Sequence, residues 1–455
     1  MYNPKGGGVS PSIGGAATVK LKLPATDQRG ALAWLKSTYP GTRLLSVGPN
    51  VPRPRALIHA WTQPAGQPAL GRWLRRAARD PGGLLLLVND TSRRTPTAAL
   101  LERLQPLLER SGAGERMRCL VATGTHAAPK GRARESAGAE ILGRHWRALS
   151  PRTEWHDADS PALVPLPVRG RKVARFHPWI AASRFVLAIG SCEPHYFAGI
   201  TGAHKSLTVG VMGRRDIERD HALALSPRSQ PLRLSDNPVH RHQRRLLKAL
   251  AAGRSLFAIN VLIGRGGEVA AAAAGTPERA LSALAPRVRK ALGVVLPAPA
   301  DLIVAQVDGP LGRSLYQADK GIKNVEAAVR SGGAIVLLAD CRDGIGTAHF
   351  WEFLRRNRSL ARARRTLRTR GYRLGDHKAL RWLRLVERRR VRLLGVCPGL
   401  EPKAARAAQL ELLPDLPSAL SRALAAVGPE SRPRIVWVEQ AGEIALRVAS
   451  RHTIS

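Results

Sequence analysis

The sequence has few of the residues on which small secreted or metal-stapled domains depend. Its 455 residues include only four cysteines, which lie far apart and form no CxxC pair. A disulfide-rich scaffold and a structural zinc ribbon are therefore both disfavoured. A chain of this length can bury a large core without such crosslinks, and it corresponds to two or three domains.

The sequence also lacks long apolar runs and an apolar leader. No stretch approaches the roughly 20 apolar residues that a membrane span requires. Residues 1–20 are rich in Gly, Pro and Ser and contain no hydrophobic core of a signal peptide. We therefore expect a flexible tail over residues 1–20, and a reduced, soluble, cytoplasmic protein without a membrane partner.

Acidic and aromatic residues are scarce as well. The 33 Asp and Glu face 73 Lys and Arg, which gives a net charge of +40, and aromatics make up 4%. Such a charge is typical of proteins that bind nucleic acid or another polyanion. However, only 13 of the basic residues are Lys and 60 are Arg, a bias typical of G+C-rich coding. A solvated face is therefore favoured for the Arg-rich segment 355–390, and a non-enzymatic nucleic-acid- or polyanion-binding protein is the alternative.

Short apolar runs alternate with helical patterns along the chain. The runs predicted to be strands cover residues 84–88, 119–122, 184–189, 302–307, 334–339, 391–396 and 435–438. Helices are predicted over 97–110 and 315–331, and continuous apolar strands that alternate with helices indicate parallel α/β sheets. With a Pro-rich linker at 297–299, we predict two α/β domains with mostly parallel sheets, over residues 21–295 and 300–455, and an active site in the cleft between them.

Polar residues gather where the predicted strands end. The loop NDTSRRTP supplies Asp90 and Arg93, and two further strand ends carry His126 and His195. In open parallel sheets, ligands bind beyond the carboxyl ends of the strands, so both histidines are general-base candidates. Taken singly, each histidine also fits a structural role, and Asp90 or Ser92 also fits a helix N-cap.

The stretch GITGAHKS nearly matches the phosphate-binding loop GxxxxGK[ST], but His204 occupies the position of the last glycine. That departure counts against an ATP-dependent enzyme. The parts of an anion site remain, namely glycines for close backbone approach, a cation and hydroxyl donors. These parts are Gly199, Thr201, Gly202, Lys205 and Ser206.

Three further features carry candidate ligands. Gln317 and Lys320 lie one turn apart on a predicted helix, where a solvated helix face is the alternative. His221 begins an apolar stretch and fits either a helix start or a soft-metal ligand. His240 and His242 alternate in a basic segment and are predicted to lie on the surface.

Together these motifs resemble the nickel-pincer-dependent lactate racemase family, over most of the chain from about Leu84. The motifs that carry the resemblance are NDTSRRTP, GTH, PHYFAGITGAHKS and YQADK, with His221 sixteen residues after Lys205 and a weaker match at GDHKAL. Ser92 stands where the family usually has threonine and Val209 where it usually has proline. Neither departure removes a chemical role.

The resemblance implies a role for each candidate. Lys205 would covalently attach the nickel-pincer nucleotide, a nickel pyridinium-3,5-bisthiocarboxylic acid mononucleotide, and His221 would be the metal ligand. His126 and His195 would be the acid–base pair. Arg93, Gln317 and Lys320 would hold the substrate, while Asp90, Thr201, Gly202 and Ser206 would contact the cofactor and its phosphate.

The resemblance also implies the reaction and the partners. It implies an isomerase, a racemase or epimerase that inverts the carbinol carbon of a small 2-hydroxy acid by proton-coupled hydride transfer, and it implies cofactor-maturation enzymes as partners. Two bases on opposite faces are the minimal set for inverting one centre. A guanidinium suits bidentate binding of a carboxylate, and sulfur, carbon and imidazole ligands suit a square-planar nickel site.

Overall fold

The fold is described from a computed structural model of the chain. The described residues are 28–38, 42–51, 58–168, 172–264, 266–427 and 432–449. The tail predicted over residues 1–20 lies outside them.

The described strands and helices are numbered in chain order. The strands are β1 (Arg43–Val47), β2 (Leu84–Asn89), β3 (Arg118–Ala122), β4 (Thr153–Trp155), β5 (Val164–Val168), β6 (Lys172–Phe176), β7 (Phe185–Ser191), β8 (Pro194–His195), β9 (Gly199–Ile200), β10 (Ser255–Ile263), β11 (Val269–Gly275), β12 (Gly293–Leu296), β13 (Ala300–Gln306), β14 (Val329–Leu338), β15 (Arg392–Val396), β16 (Glu411–Leu412), β17 (Arg434–Val438) and β18 (Ala445–Val448). The helices are α1 (Gln28–Thr38), α2 (Ile58–Thr62), α3 (Leu70–Ala78), α4 (Thr97–Ser111), α5 (Gly131–Leu142), α6 (Trp146–Leu149), α7 (Pro178–Ala182), α8 (Ala203–Ser206), α9 (Arg214–Ala222), α10 (Pro238–Ala251), α11 (Pro277–Leu292), α12 (Leu315–Val325), α13 (Ala348–Arg356), α14 (Leu360–Arg370), α15 (Asp376–Leu383), α16 (Pro402–Ala407) and α17 (Leu416–Val427).

The first sheet has the strand order β11-β10-β7-β2-β3-β4. All neighbouring pairs are parallel except β10 with β11, which is antiparallel. The apolar side chains of β2 and β7 are buried on both faces, as expected for a parallel sheet covered by helices. The strands predicted at 84–88, 119–122 and 184–189 are confirmed. No prediction was made for β10 and β11, although the apolar run of β10 resembles the others.

The second sheet has the order β1-β17-β13-β14-β15-β16, and every pair in it is parallel. The prediction of an α/β fold with mostly parallel sheets is thus confirmed. The helix predicted over 315–331 ends earlier, at Val325, because the chain turns and enters β14 at Val329.

The first described strand lies in the second sheet. β1 pairs along its length with β17, and Leu35 of α1 is buried in the same core as Leu302 and Ile435. The boundaries predicted from the linker placed residues 43–47 in the N-terminal domain, and this part of the division is corrected. Pairing between strands almost 400 residues apart depends on tertiary contacts that no local pattern encodes.

The two sheets leave a cleft at the carboxyl ends of β2, β3 and β7. Helices α12 and α15 of the second domain face these strand ends across the cleft. Among the described residues, no helix has the length and apolar character needed to cross a bilayer. All four cysteines are buried and free, as the low cysteine content indicated.

Candidate active site

A cavity of about 250 Å³ lies in the cleft, and every residue proposed for the site from the sequence lines it. These residues are Asp90, Arg93, His126, His195, Thr201, Gly202, Lys205, Ser206, His221, Gln317 and Lys320. They come from five loops or helices that are distant in sequence. The parallel sheet brings the loops after β2, β3 and β7 together because the carboxyl ends of its strands lie at one edge.

His195 and Lys205 contact each other in the wall of the cavity. The Lys205 Nζ lies 3.0 Å from His195 Nε2, and the Ala198 amide donates to His195 Nδ1 over 3.2 Å. A neutral His195 ring therefore carries its proton on Nε2, from which it can donate to an uncharged amine. Burial, followed by the charge of Arg93, lowers the pKa of Lys205 to about 7. Burial and then the Lys205 charge hold the pKa of His195 well below its usual value, so the pair has an uncharged base beside a nucleophilic amine.

His126 is more accessible and is held by a carboxylate. Its side chain is 52% exposed, and its Nδ1 lies 2.7 Å from Asp90 Oδ2. Burial would raise the pKa of Asp90, but hydrogen bonding and charge from His126 outweigh it, and the pKa is lowered. Asp90 therefore orients His126 as an ionised carboxylate. Its contact with a cofactor stays a prediction, and the N-cap interpretation is wrong because Pro96 occupies that position before α4.

The two candidate bases flank a central loop. His195 follows β7 and His126 follows β3, with β2 between them. Neighbouring strands are spaced by about 4.8 Å, so the two strand ends are roughly 10 Å apart, enough for a small molecule. Arg93 follows β2 between them, and its Nη1 lies 3.3 Å from Glu193 Oε2.

The Thr201–Ser206 loop is tied to the strand ends beneath it. Thr201 Oγ1 donates to the backbone carbonyl of Ser191 over 2.8 Å, and Asn89 Nδ2 donates to Ser206 Oγ over 2.8 Å. Gly202 has φ +149°, and a Cβ there would lie 2.9 Å from the side chain of Asn260. Glycine is therefore required for this close approach, which gives the backbone access to the cavity.

His204, which breaks the resemblance to an ATP-binding loop, points away from the cavity. It is fully buried, neither ring nitrogen has a hydrogen-bond partner among the described residues, and it packs against His240 with ring centroids 5.5 Å apart. His240 is itself buried, so the prediction that it lies on the surface is wrong. The alternation of His240 and His242 in a basic segment does not indicate that this face of α10 packs against α8.

His221 is oriented from behind by Asp220. The His221 Nδ1 lies 3.1 Å from Asp220 Oδ2, and His242 and Gln243 also contact this fully buried carboxylate. Burial would raise the pKa of Asp220, but its hydrogen bonds with the two histidines lower it to about 2. With its Nδ1 proton held by a carboxylate, His221 has Nε2 available as a metal ligand.

The potential metal ligands at this site fit a metal ion that is already bound to most of its ligands in a cofactor. Within the described ranges, no group of three or more His, Cys, Asp or Glu side chains could hold a metal ion. One imidazole, a reactive buried amine at Lys205 and a glycine-lined loop remain. The residues present therefore fit a covalently attached, metal-carrying nucleotide better than a metal ion bound only by protein.

The opposite side of the cavity comes from α12 and carries polar groups without partners. Gln317 Oε1 is buried and has no hydrogen-bond partner in the described part of the chain. Lys320 forms no hydrogen bond or ion pair there, and burial, followed by the charges of Arg93 and Lys378, holds its pKa well below its usual value. A solvated helix face is therefore the wrong interpretation, since both residues line the cavity. An anion with a hydroxyl group would satisfy both.

Sequence reasoning missed several residues that complete this site. Tyr196 stacks on His195 with ring centroids 5.1 Å apart, and its hydroxyl lies 2.8 Å from His377 Nε2. Lys378 lies over the rings of Tyr196 and Tyr316, at 4.9 and 4.2 Å from their centroids. The adjacency of Tyr196 to His195 and the motif GDHKAL were the available signals. These contacts join the two domains at the cavity.

Both domains match family models. The model described as the lactate racemase N-terminal domain matches residues 46–231, and that of the lactate racemase C-terminal domain matches residues 295–439. The lactate racemase of Thermoanaerobacterium thermosaccharolyticum is 25% identical over 293 residues, which cover 63% of this chain and 66% of that protein. The lactate racemase of Lactiplantibacillus plantarum is 27% identical over 294 residues, which cover 62% and 65%. The aligned region thus spans just under two thirds of each relative.

Solved structures share the fold. The lactate racemase apoprotein from T. thermosaccharolyticum has a TM-score of 0.76 at 22% identity, over 90% of this chain and 95% of that one. A crystal structure of a Thermotoga maritima protein has a TM-score of 0.62 at 15% identity, over 84% and 98%. At these identities the likeness concerns the fold alone.

Proposed function

The chain belongs to the lactate racemase family, and on that premise we propose that it is an isomerase that inverts the carbinol carbon of a small 2-hydroxy acid. The observation that carries the proposal is the meeting of two separately oriented histidines with two unpartnered polar groups in one cavity of about 250 Å³. The histidines suit proton transfer, and the unpartnered groups suit binding of an anionic substrate.

Substrate binding would rely on two basic side chains that have hydrogen-bonding groups to spare. Lys320 supplies an amine without a partner among the described residues, whose protonated form a bound carboxylate would favour. The guanidinium of Arg93 contacts Glu193 through one nitrogen only. A substrate carboxylate would bind between them, and Gln317 Oε1 would accept from the substrate hydroxyl. Tight binding at both ends would keep a planar intermediate in place until the proton returns.

Proton transfer would involve the two histidines in turn. The lowered pKa of His195 keeps its ring uncharged near neutral pH, and Asp90 holds the ring of His126. Loss of the hydroxyl proton to one histidine, coupled to loss of hydride from the same carbon, would give a planar 2-keto acid. Return of the hydride to the opposite face, with a proton from the other histidine, would invert that carbon. The same pair can then work in either direction.

In this proposed route the carbinol carbon must lose and regain a hydride, which side chains of this kind cannot store. We infer that a nickel-pincer nucleotide is attached through Lys205, with His221 as the protein ligand of the nickel. When bound, such a group would accept and return the hydride. Thr201, Gly202 and Ser206 would contact its nucleotide part. Cofactor-maturation enzymes would then be required partners, and a cytoplasmic location remains part of the proposal.

Intact mass and nickel content would test the proposal, measured on protein co-expressed with cofactor-maturation enzymes. Wild-type chain should carry a covalent adduct with near-stoichiometric nickel and should racemise a 2-hydroxy acid. Lys205→Ala should lose all three, and Lys205→Arg should lose them as well, because a guanidinium keeps the charge without the nucleophilic amine. A Lys205→Ala protein with full racemase activity would overturn the tethered mechanism.

A further inference from the structure

A second cavity, larger than the catalytic one and separate from it, lies between the two domains. Its volume is about 950 Å³, and it shares no lining residue with the catalytic cavity. The N-terminal domain contributes the segment 224–236 and the end of α11, and the C-terminal domain contributes residues of α12, the region 381–389 and β18. This volume is in the range of sites for small organic ligands.

The walls of this cavity are strongly basic. Eight of its lining residues are Lys or Arg and two are acidic. The basic ones are Arg233, Arg289, Lys290, Lys323, Arg381, Arg384, Arg389 and Arg447. Three of them come from the Arg-rich segment 355–390 that the proposed racemase chemistry does not use.

The two carboxylates are already neutralised inside the protein. Glu326 accepts from Arg381 over 2.8 Å and from Lys323 over 3.2 Å, and Asp236 pairs with Arg233. Five basic side chains are left without an ion pair among the described residues. They are Arg289, Lys290, Arg384, Arg389 and Arg447, of which Arg389 donates to the backbone oxygens of Glu326 and Val329.

Some of these cations are close enough to repel one another. Burial lowers the pKa of Arg289, and the charge of Arg447 lowers it further. Burial also lowers the pKa of Arg389, which Glu326 raises and Arg384 lowers. Positive charges that lie close together repel one another, and a bound anion would offset this repulsion.

The same cavity has an apolar side. Only three large hydrophobic side chains are exposed in the described part of the chain, and two of them, Leu225 and Val295, border this cavity at 37% and 46% exposure. Leu232 and Leu234, which are partly exposed, add to this surface. Exposed apolar area beside convergent charged groups is typical of a ligand site rather than of an ordinary solvated face.

We propose that this cavity binds an organic phosphate of about mononucleotide size, with its phosphate between the cations of the two domains and its apolar body on Leu225 and Val295. Guanidinium groups match phosphate oxygens in geometry as well as charge. Because the cations belong to both domains, a bound ligand would hold the domains together. Arg381, which donates to the backbone oxygen of Tyr196 over 2.9 Å, connects this cavity to the catalytic one.

Isothermal titration calorimetry of the full chain with AMP would test the proposal. Arg384→Gln/Arg447→Gln should weaken AMP binding about tenfold or more, since two charge-assisted contacts are lost. Arg364→Gln/Arg368→Gln is the matched control, because it removes the same charge from exposed positions of α14 outside the cavity. All of these side chains are exposed, and thermal unfolding would verify that each variant folds.

Four outcomes would overturn the proposal. The first is equal AMP affinity in the wild type and the cavity variant. The second is adenosine or inorganic phosphate binding as tightly as AMP, since one lacks the anion and the other the apolar body. The third is loss of AMP binding in Lys205→Ala but not in the cavity variant, which would place AMP in the catalytic cavity. The fourth is tight binding of a single-stranded oligonucleotide without binding of AMP, which would favour a nucleic-acid surface instead.

Discussion

The two walls of the catalytic cavity differ in whether their polar side chains are hydrogen-bonded to other residues. On the N-terminal side, His126 is held by Asp90, His195 contacts Lys205 and His221 is held by Asp220. On the α12 side, Gln317 Oε1 and Lys320 have no hydrogen-bond partner among the described residues. Groups oriented before the substrate arrives suit chemistry, whereas unpartnered polar groups suit binding.

This contrast leads to different expectations for the two walls. Substitutions on the N-terminal side should lower kcat or metal content, and substitutions on α12 should mainly raise KM. An α12 variant that lowered mainly kcat, or an N-terminal variant that raised mainly KM, would show that the two walls do not have separate roles.

The largest effect should come from the two histidines. His126→Ala and His195→Ala should each lower kcat by about 10²- to 10⁴-fold while the covalent cofactor is retained, because each removes one of two proton carriers. Steady-state racemisation from both enantiomers, with intact mass as the control, would measure this. If either variant stayed within about tenfold of the wild type, that histidine would not be an acid–base residue.

The next effect concerns the residue behind the proposed metal ligand. Asp220→Asn keeps the shape but removes the charge that orients His221, and nickel affinity should fall by about 10- to 100-fold. Nickel retention against a competing chelator would report it. Asp216→Asn, one turn earlier in α9 and bonded to Arg175 and Arg219, is the matched control and should retain nickel. Equal losses in both variants would indicate general damage to the helix rather than a positioning role for Asp220.

A smaller effect is expected from α12. Gln317→Ala and Lys320→Met should each raise KM about tenfold with a modest change in kcat, because each removes one charged or polar contact to the substrate. Lys248→Met, at an exposed position of α10, controls for the loss of charge. A fall in kcat with an unchanged KM would move these residues into the chemical step and remove the contrast between the walls.

The last prediction concerns only the apo chain and is tested without an activity measurement. Since the pKa of Lys205 is lowered to about 7, its amine should be mostly uncharged above pH 7 and protonated below it. Acylation of Lys205, followed by peptide mass spectrometry, should therefore rise with a midpoint near pH 7 instead of near 10.5. Lys205→Arg identifies the peptide. A midpoint near 10.5 would mean that burial does not activate this amine.

Local sequence patterns predicted much of the fold. Strands such as Leu84–Asn89 and Phe185–Ser191 are mostly apolar runs, and such runs are typical of strands buried in parallel sheets. The motifs at their ends likewise indicated which residues would line the cavity. An apolar run and the polar motif that follows it are local features, so both can be recognised in the sequence without the tertiary structure.

Tertiary structure decided how these parts are combined. It joined β1 to the second sheet, turned His240 and His204 into the core, and placed Tyr196 against His377. It also decided which polar groups acquire partners, so that Asp90 holds His126 while Lys320 has no partner in the described part of the chain. These outcomes depend on contacts between segments far apart in the chain, and the same local pattern is compatible with either result.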